Sequence, residues 1–180
     1  KPDETDYVGA LTNLKGEGCD LVTLALSVRG VITAVATAKK IGWTDVKFLG
    51  SSAAFHTAVA KVPGGVTEGF FAAAGWSDLE ARAGNPSVGA FINAYSQATG
   101  EKFPGTGALL GYSGALTIVK ALEAAGPDLN HASFRAAMEG LKFEDEIMGA
   151  SIDFGADHLG SGDIFISKIE GGSWKVVGEV

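Results

Sequence analysis

Apolar positions along this chain change their period several times, and each change marks an element. Tyr7, Ala10, Leu11 and Leu14 recur at i, i+3, i+4 and i+7. That spacing predicts a helix with Thr5 or Asp6 at its N-cap and Gly16 and Gly18 closing it. Residues 21–26 are then a nearly unbroken apolar run of strand length, which suits a parallel strand covered on both faces. Ser27 is placed to cap the next helix, whose apolar positions are Val28, Val31, Ile32 and Val35. Lys39 and Lys40 complement the dipole of its last turn, and Gly42 follows as a helix-ending residue. The unit repeats: a strand over 46–49, a Gly50-Ser51-Ser52 turn and cap, a short helix from Ala53 to about Ala60 broken by Pro63-Gly64-Gly65, and a strand over 68–74. This β-α-β-α-β order with tight connections predicts a parallel sheet with right-handed crossovers.

Past Ala74 the pattern changes. Residues 75–85 are polar and contain glycine, and Asn85-Pro86 opens a helix with Asn at the N-cap and Pro at N1. Val88, Phe91, Ile92 and Tyr95 mark its apolar face and Gly100 ends it. A long apolar helix is predicted over about 107–125 and another over about 131–139, the second capped by Asn130. No strand signal falls among these three helices, so they are expected to pack on a sheet made elsewhere. The chain closes on an alternating strand over 150–154, then strands over 164–169 and 174–180 flanking Glu170-Gly171-Gly172-Ser173, a hairpin signal.

Composition narrows the class. With 46 % hydrophobic and 19 % charged residues the 180-residue chain is not disordered. Its length alone reads as one domain. Lys+Arg 14 against Asp+Glu 21 leaves a net charge of -7, which argues against nucleic-acid binding and adhesion to an anionic membrane. Cys19 is the single cysteine, so no intrachain disulfide or cysteine-based zinc site is available. No apolar run comes near the length of a membrane span. The opening Lys1-Pro2-Asp3-Glu4-Thr5 is polar and turn-like, unlike a signal peptide. No cofactor or metal is expected.

Open parallel sheets take ligands at the carboxyl ends of their strands. Two such ends are legible, Leu26-Ser27-Val28-Arg29 and Gly50-Ser51-Ser52-Ala53. Both set hydroxyls beside free helix N–H groups, which suits a carboxylate or amide oxygen, and Arg29 adds a bidentate donor. Trp76 follows the third strand where the chain changes character and is a candidate to line a crevice. Each also has a plainer use: the serines as N-caps, Arg29 as a solvated charge, Trp76 as packing. Enzyme motifs fail. Gly111-Tyr112-Ser113-Gly114 resembles a nucleophile elbow, but its last glycine comes one position early and it lies within a helical pattern. Asp153, Asp157, His158 and Asp163 cluster without calcium-loop spacing and read as a polar turn.

The ordered series of these features resembles the type I periplasmic solute-binding proteins of ABC importers, in the branched-chain amino-acid (leucine/isoleucine/valine-binding) family. The matching stretches are DYVGALTNLKGEGCDLVTLAL, AKKIGW, VKFLGSS, VTEGFFAAAG, FINAYSQATGEKFPGTGALLGYSGALTIVKALEAAG and GASIDFGADHLGSGDIFISKIEGGSWKVV. The resemblance covers essentially the whole chain and looks like the C-terminal half only. It implies an α/β fold of Rossmann-like parallel sheet layers, incomplete, a fragment of two lobes joined by a hinge. Residues 1–74 would be a second-lobe portion, 75–146 the hinge crossing and first-lobe helices, and 147–180 strands returning to the second lobe. It implies an extracytoplasmic, periplasmic or membrane-tethered, non-enzymatic protein whose partners are a small solute and an ABC permease. A ligand-sensing receptor domain of the same fold is the alternative. By the same resemblance, Ser27, Ser51 and Ser52 stand where the ligand is held. Amino-acid binders of the family commonly carry an aromatic residue and an acid at these two strand ends. Ser27 and Ser52 stand there instead, so an ammonium group would lack its counter-charge. A branched-chain amino acid, an amide, or an aliphatic or aromatic carboxylate are the ligand classes left. A half-protein would expose sheet edges and helix faces, so association with a second copy, as a homo-dimer, or origin in a longer chain is expected.

Overall fold

The computed structural model describes residues 4–155 and 157–179. In chain order the elements are α1 (Val8–Gly16), β1 (Leu21–Leu24), α2 (Val28–Lys40), β2 (Lys47–Gly50), α3 (Thr57–Ala60), β3 (Phe71–Ala74), α4 (Pro86–Thr99), α5 (Thr106–Ala125), α6 (His131–Glu139), β4 (Lys142–Asp145), β5 (Ala150–Asp153), β6 (Phe165–Glu170) and β7 (Ser173–Glu179). They form two compact units. One runs to Ala74 and resumes at Ile164; the other is Gly75–Asp163.

The first unit is built on a five-stranded sheet in the order β1-β2-β3-β6-β7. The apolar runs do form parallel strands: Leu24 stands opposite Gly50 and Leu49 opposite Phe71. The hairpin then adds two antiparallel strands, with Ala74 opposite Phe165, so the sheet is mixed. Its core holds Val22, Phe48, Phe70, Ile169 and Trp174 beneath Val31, Val35 and Val59. Ile169 and Val59 are fully buried. Helix α1 starts at Val8, and its N-cap is Tyr7, not Thr5 or Asp6, with no side-chain capping bond; Asp6 accepts from the Val8 N–H at 2.8 Å just before it. Lys15 of α1 donates to the Ile41 and Gly42 carbonyls at 3.3 and 3.0 Å, satisfying acceptors that the end of α2 leaves open. The predicted helix over 53–60 is split into a 3-10 turn (Ser52–Ala54) and α3, because Phe55 and His56 leave the helical region. Val180, to which the last strand is expected to run, and Lys1, Pro2 and Asp3 of the opening segment lie outside the described residues.

The second unit is mostly helical. Asn85 Oδ1 accepts from the Ser87 and Val88 N–H groups at 2.9 and 3.4 Å, with Pro86 at N1. Asn130 and Ser133 form a reciprocal capping box on α6. A small core of Leu79, Val88, Leu109 and Ile147 carries Trp76, Phe91, Ile92, Phe103 and Met148 around it. One strand escaped the sequence reading. Strand β4 pairs antiparallel with β5, Asp145 opposite Ala150, and this ribbon is compact with residues 75–163 rather than with the closing strands. Only Phe143 is apolar in β4, so no alternation announced it.

Helix α5 also departs from expectation. It has 20 residues and a mean hydropathy of 1.2, long and apolar enough on those two counts to cross a membrane. Its buried stripe is Leu109, Ser113, Thr117 and Ala121. Its larger residues Leu110, Ile118, Val119 and Leu122 face outward, 40–52 % exposed. Together with Leu129 and Phe134, Ile118 and Leu122 line a groove of about 350 Å³ between α5 and α6.

Candidate functional site

The parallel register sets β1 and β2 side by side, so their carboxyl ends share one edge of the first unit. The Ser51 N–H donates to Leu24 O at 3.1 Å and carries the pairing one residue further. Ser27 follows β1 by three residues and stands at the N-cap of α2 with extended φ and ψ of −72° and 172°. Its hydroxyl makes no capping bond. Ser51 stands at the N-cap of the 3-10 turn in the same conformation, again without a capping bond. Both serines therefore hold the N-cap position with their hydroxyls outside the cap. Ser27, Ser51, Ser52 and Arg29 are all exposed. Arg29 has no ion-pair partner among the described residues. The first N–H groups of α2 are free of intrahelical bonds, as at any helix start.

Gly50 is required where β2 meets this edge. A Cβ there would lie 2.5 Å from Ala54 Cβ and 2.7 Å from Phe70 Cζ. The loop beyond is braced from beneath. His56 caps α3 by accepting from the Ala58 N–H at Nδ1, at 3.0 Å, which leaves Nε2 carrying the proton in the neutral ring. Trp174 Nε1 donates to His56 O at 3.1 Å and its ring lies 4.8 Å from that of Phe55. Nothing in the sequence singles out His56 beyond its place four residues after Ser52.

The chemistry of the edge follows from its side chains. Segments 25–29 and 50–57 contain serine hydroxyls, His56, Thr57 and the guanidinium of Arg29, and no carboxylate. In a chain of net charge -7 this is a patch of donors. It can hold an oxygen-rich or anionic group and offers nothing to neutralise an ammonium.

Trp76 lies in the second unit, two residues after β3 ends. It is half-buried against the Leu79, Val88, Leu109 and Ile147 core. A polar node fixes the chain beside it. Ser77 N–H donates to Met148 O at 3.2 Å. The Arg82 guanidinium donates to Glu146 O, and through its other terminal nitrogen to Ser77 O at 3.1 Å and Ile147 O at 2.8 Å. Asp145 is buried, and its Oδ1 accepts from the Ile147 and Met148 N–H groups at 2.9 and 3.0 Å. Arg82 Nε and Asp145 Oδ2 are both buried without a hydrogen-bond partner. Burial lowers the pKa of Arg82, against the attraction of Asp78 and Asp145. Burial raises that of Asp78, against its bond from the Ala81 N–H. This node joins residues 64 and 65 positions apart, which no local pattern could show.

The remaining candidates fall elsewhere. Ser113 is buried inside α5, where no strand-to-helix elbow exists. Asp153 pairs with Lys142 at 2.7 Å and His158 with Glu139 at 3.0 Å, so the acidic cluster is spent on turn and surface contacts. Among the described residues no three of His, Cys, Asp and Glu gather closely enough to hold a metal ion.

Comparison with known proteins places this geometry. A family model described as periplasmic binding protein matches residues 1–173. Curated proteins yield no match. Among solved structures, a fatty acid ABC transporter substrate-binding protein from Thermomonospora curvata superposes with a TM-score of 0.81 at 24 % identity, over 98 % of this chain and 47 % of that one. A branched-chain amino acid ABC transporter protein from Thermus thermophilus with bound valine gives 0.81 at 18 %, over 98 % and 50 %. An R. palustris solute-binding protein in complex with benzoate gives 0.76 at 18 %, over 98 % and 47 %. The chain therefore spans about half the length of the structures it matches, and the likeness is one of fold.

Proposed function

The chain belongs to the periplasmic binding protein family, and on that premise we propose that it is part of the extracytoplasmic solute-binding component of an ABC importer. It works by binding, not catalysis: two lobes close about a hinge on a small solute, which then passes to a membrane permease. Residues 1–74 with the closing strands are a portion of the second lobe. The helices α4 to α6 belong to the first lobe, and the outward apolar face of α5 is covered there by a sheet contributed by protein beyond these residues.

The observation that carries the reading is the donor edge: two N-cap serines with free hydroxyls on adjacent parallel strands, with Arg29 as the only full charge. On this reading Ser27, Arg29, Ser51 and Ser52 hold the solute, and Trp76 is a further candidate solute-lining residue. The edge favours a small aliphatic or aromatic carboxylate, or an amide, over a free amino acid, because an ammonium group enclosed without a carboxylate is strongly penalised. The benzoate and fatty acid named for two of the neighbours are of that class; valine, named for a third, is not.

Thermal-shift titration of the full-length protein tests this with benzoate, 4-hydroxybenzoate, a medium-chain fatty acid, an aliphatic amide, valine and leucine. A ligand present at 100 times its Kd stabilises by about 2.7 kcal/mol, an easily read shift. Carboxylates or amides should give it, and Ser27→Ala with Ser51→Ala should reduce it. Shifts from valine and leucine alone would overturn the ligand class, and no shift from any compound would overturn the transport reading.

A further inference from the structure

The node around Arg82 is more than the second unit needs for packing. Its guanidinium spans three carbonyls from two segments far apart in sequence, Ser77, Glu146 and Ile147. Gly149 fits against both Ser77 and Arg82: the backbone has φ +67°, and a Cβ there would meet Ser77 Oγ first and lie 2.7 Å from Arg82 Cζ. Yet Arg82 Nε and Asp145 Oδ2 face burial without partners. An orphaned buried polar atom keeps its full desolvation cost. A group retained at such expense to stability is held for its geometry. The geometry it sets is that of Ser77, whose carbonyl and N–H are both bound within the node, and Ser77 is bonded directly to Trp76.

We propose that Arg82, packed against Gly149, is the positioning residue for Trp76. It locks the backbone just after Trp76 to the 145–149 turn, so that the indole keeps one orientation on the Leu79 and Ile147 core. This rests on the reading of Trp76 as a solute-lining residue, but the positioning itself is read without any solute.

The test is 19F NMR of the full-length protein carrying 5-fluorotryptophan, with the Trp76 signal assigned by its loss in Trp76→Phe. Arg82→Met with Asp145→Asn removes the charges and the three-carbonyl clamp together. Gly149→Ala crowds Ser77 Oγ and the guanidinium together. In both variants the Trp76 signal should shift or broaden, while those of Trp43 and Trp174 in the first unit stay in place. The denaturation midpoint of the double variant should hold or rise. Arg82→Lys keeps the charge but not the planar fork and should fail to restore the Trp76 signal. An unmoved Trp76 signal, or equal movement of Trp43 and Trp174, reduces the node to a structural staple and overturns the proposal. Isothermal titration with benzoate separates the two readings: Trp76→Ala that leaves benzoate affinity unchanged removes Trp76 from the site without touching the 19F result. Where Trp76 does line the site, the double variant should weaken benzoate by about tenfold, the lower end of what supporting groups contribute to a site they do not touch.

Discussion

The two units of this chain bury their apolar residues in opposite fashions. The first closes a sheet over Ile169 and Trp174, with α2 presenting Val31 and Val35 inward. Its helices obey the usual rule that the larger aliphatics face the core. In the second unit α5 inverts that rule. Small and polar residues, Ser113, Thr117 and Ala121, are inside, and Leu110, Ile118, Val119 and Leu122 are outside. A helix so arranged turns most of its larger aliphatics away from the core of its own unit. The difference teaches that α2 spends its large side chains on the core beside it and α5 spends mainly Leu109.

Four experiments would break or sharpen that contrast. The largest effect is expected in the first unit, where Trp174→Ala removes a ring packed on Phe55 and Phe70 together with its bond to His56 O. Urea denaturation should show a loss of about 3–5 kcal/mol. Leu109→Ala in the second unit should fall near the lower end of its range, about 2 kcal/mol, because a loosely built site collapses onto the gap. Equal losses would erase the distinction. Next, Ile118→Asp with Val119→Asp should cost the full-length protein at least about 1.5–3 kcal/mol, the worth of one buried aliphatic side chain. The same pair should leave the stability of the 180-residue chain unchanged and lower its binding of a hydrophobic dye. Loss of stability in both settings would mean that the face is already covered.

Third, Asn130→Ala removes the capping box of α6 and should lower stability by about 1 kcal/mol, read as a shift in urea midpoint. The smallest effect concerns Asp78. Burial raises its pKa from the ordinary 3.8, so the folded protein holds this proton more tightly than the unfolded chain. Its contribution is fully present below that ordinary value and is lost as pH rises through the raised one. Glu80 adds to the rise, while Arg82 and the Ala81 N–H oppose it. Asp78→Asn should abolish this loss, so that variant and parent diverge in midpoint as the pH climbs above the ordinary carboxylate value. Parallel curves would show that Asp78 is ionised without penalty.

Much of the first unit is written locally. Three contiguous apolar runs, a helix bounded by Ser27 and Gly42, and a Gly-Gly hairpin each carry their own signal, and each signal has its strand or pair, although β3 starts at Phe71 and the expected residues 68–70 are not strand. The exceptions have physical causes. Strand β1 ends at Leu24, because the next pairing partner is Ser51 N–H and not another strand residue. Strand β4 was illegible because the sequence Lys-Phe-Glu-Asp is held by its partner β5, not by its own pattern. The edge holding Ser27, Ser51 and Ser52 was legible from the strand-end rule alone, but that their hydroxyls stay out of the caps was not, since cap bonding depends on side-chain torsions. Arg82, Asp145 and Gly149 left no trace in the sequence, because nothing local distinguishes an arginine that clasps carbonyls 64 residues away from one in solvent.

The register of β3 and β6 has one more implication. Ala74 and Phe165 are antiparallel partners, so the chain departs from the first sheet and re-enters it at neighbouring points. Topologically, residues 75–163 are an insertion in a β-hairpin. A two-residue Asn-Gly turn suffices to join such a pair of strands. The first unit is thus a module that can be excised, with its ladder intact and its donor edge still in place, by replacing a whole unit with a single tight turn.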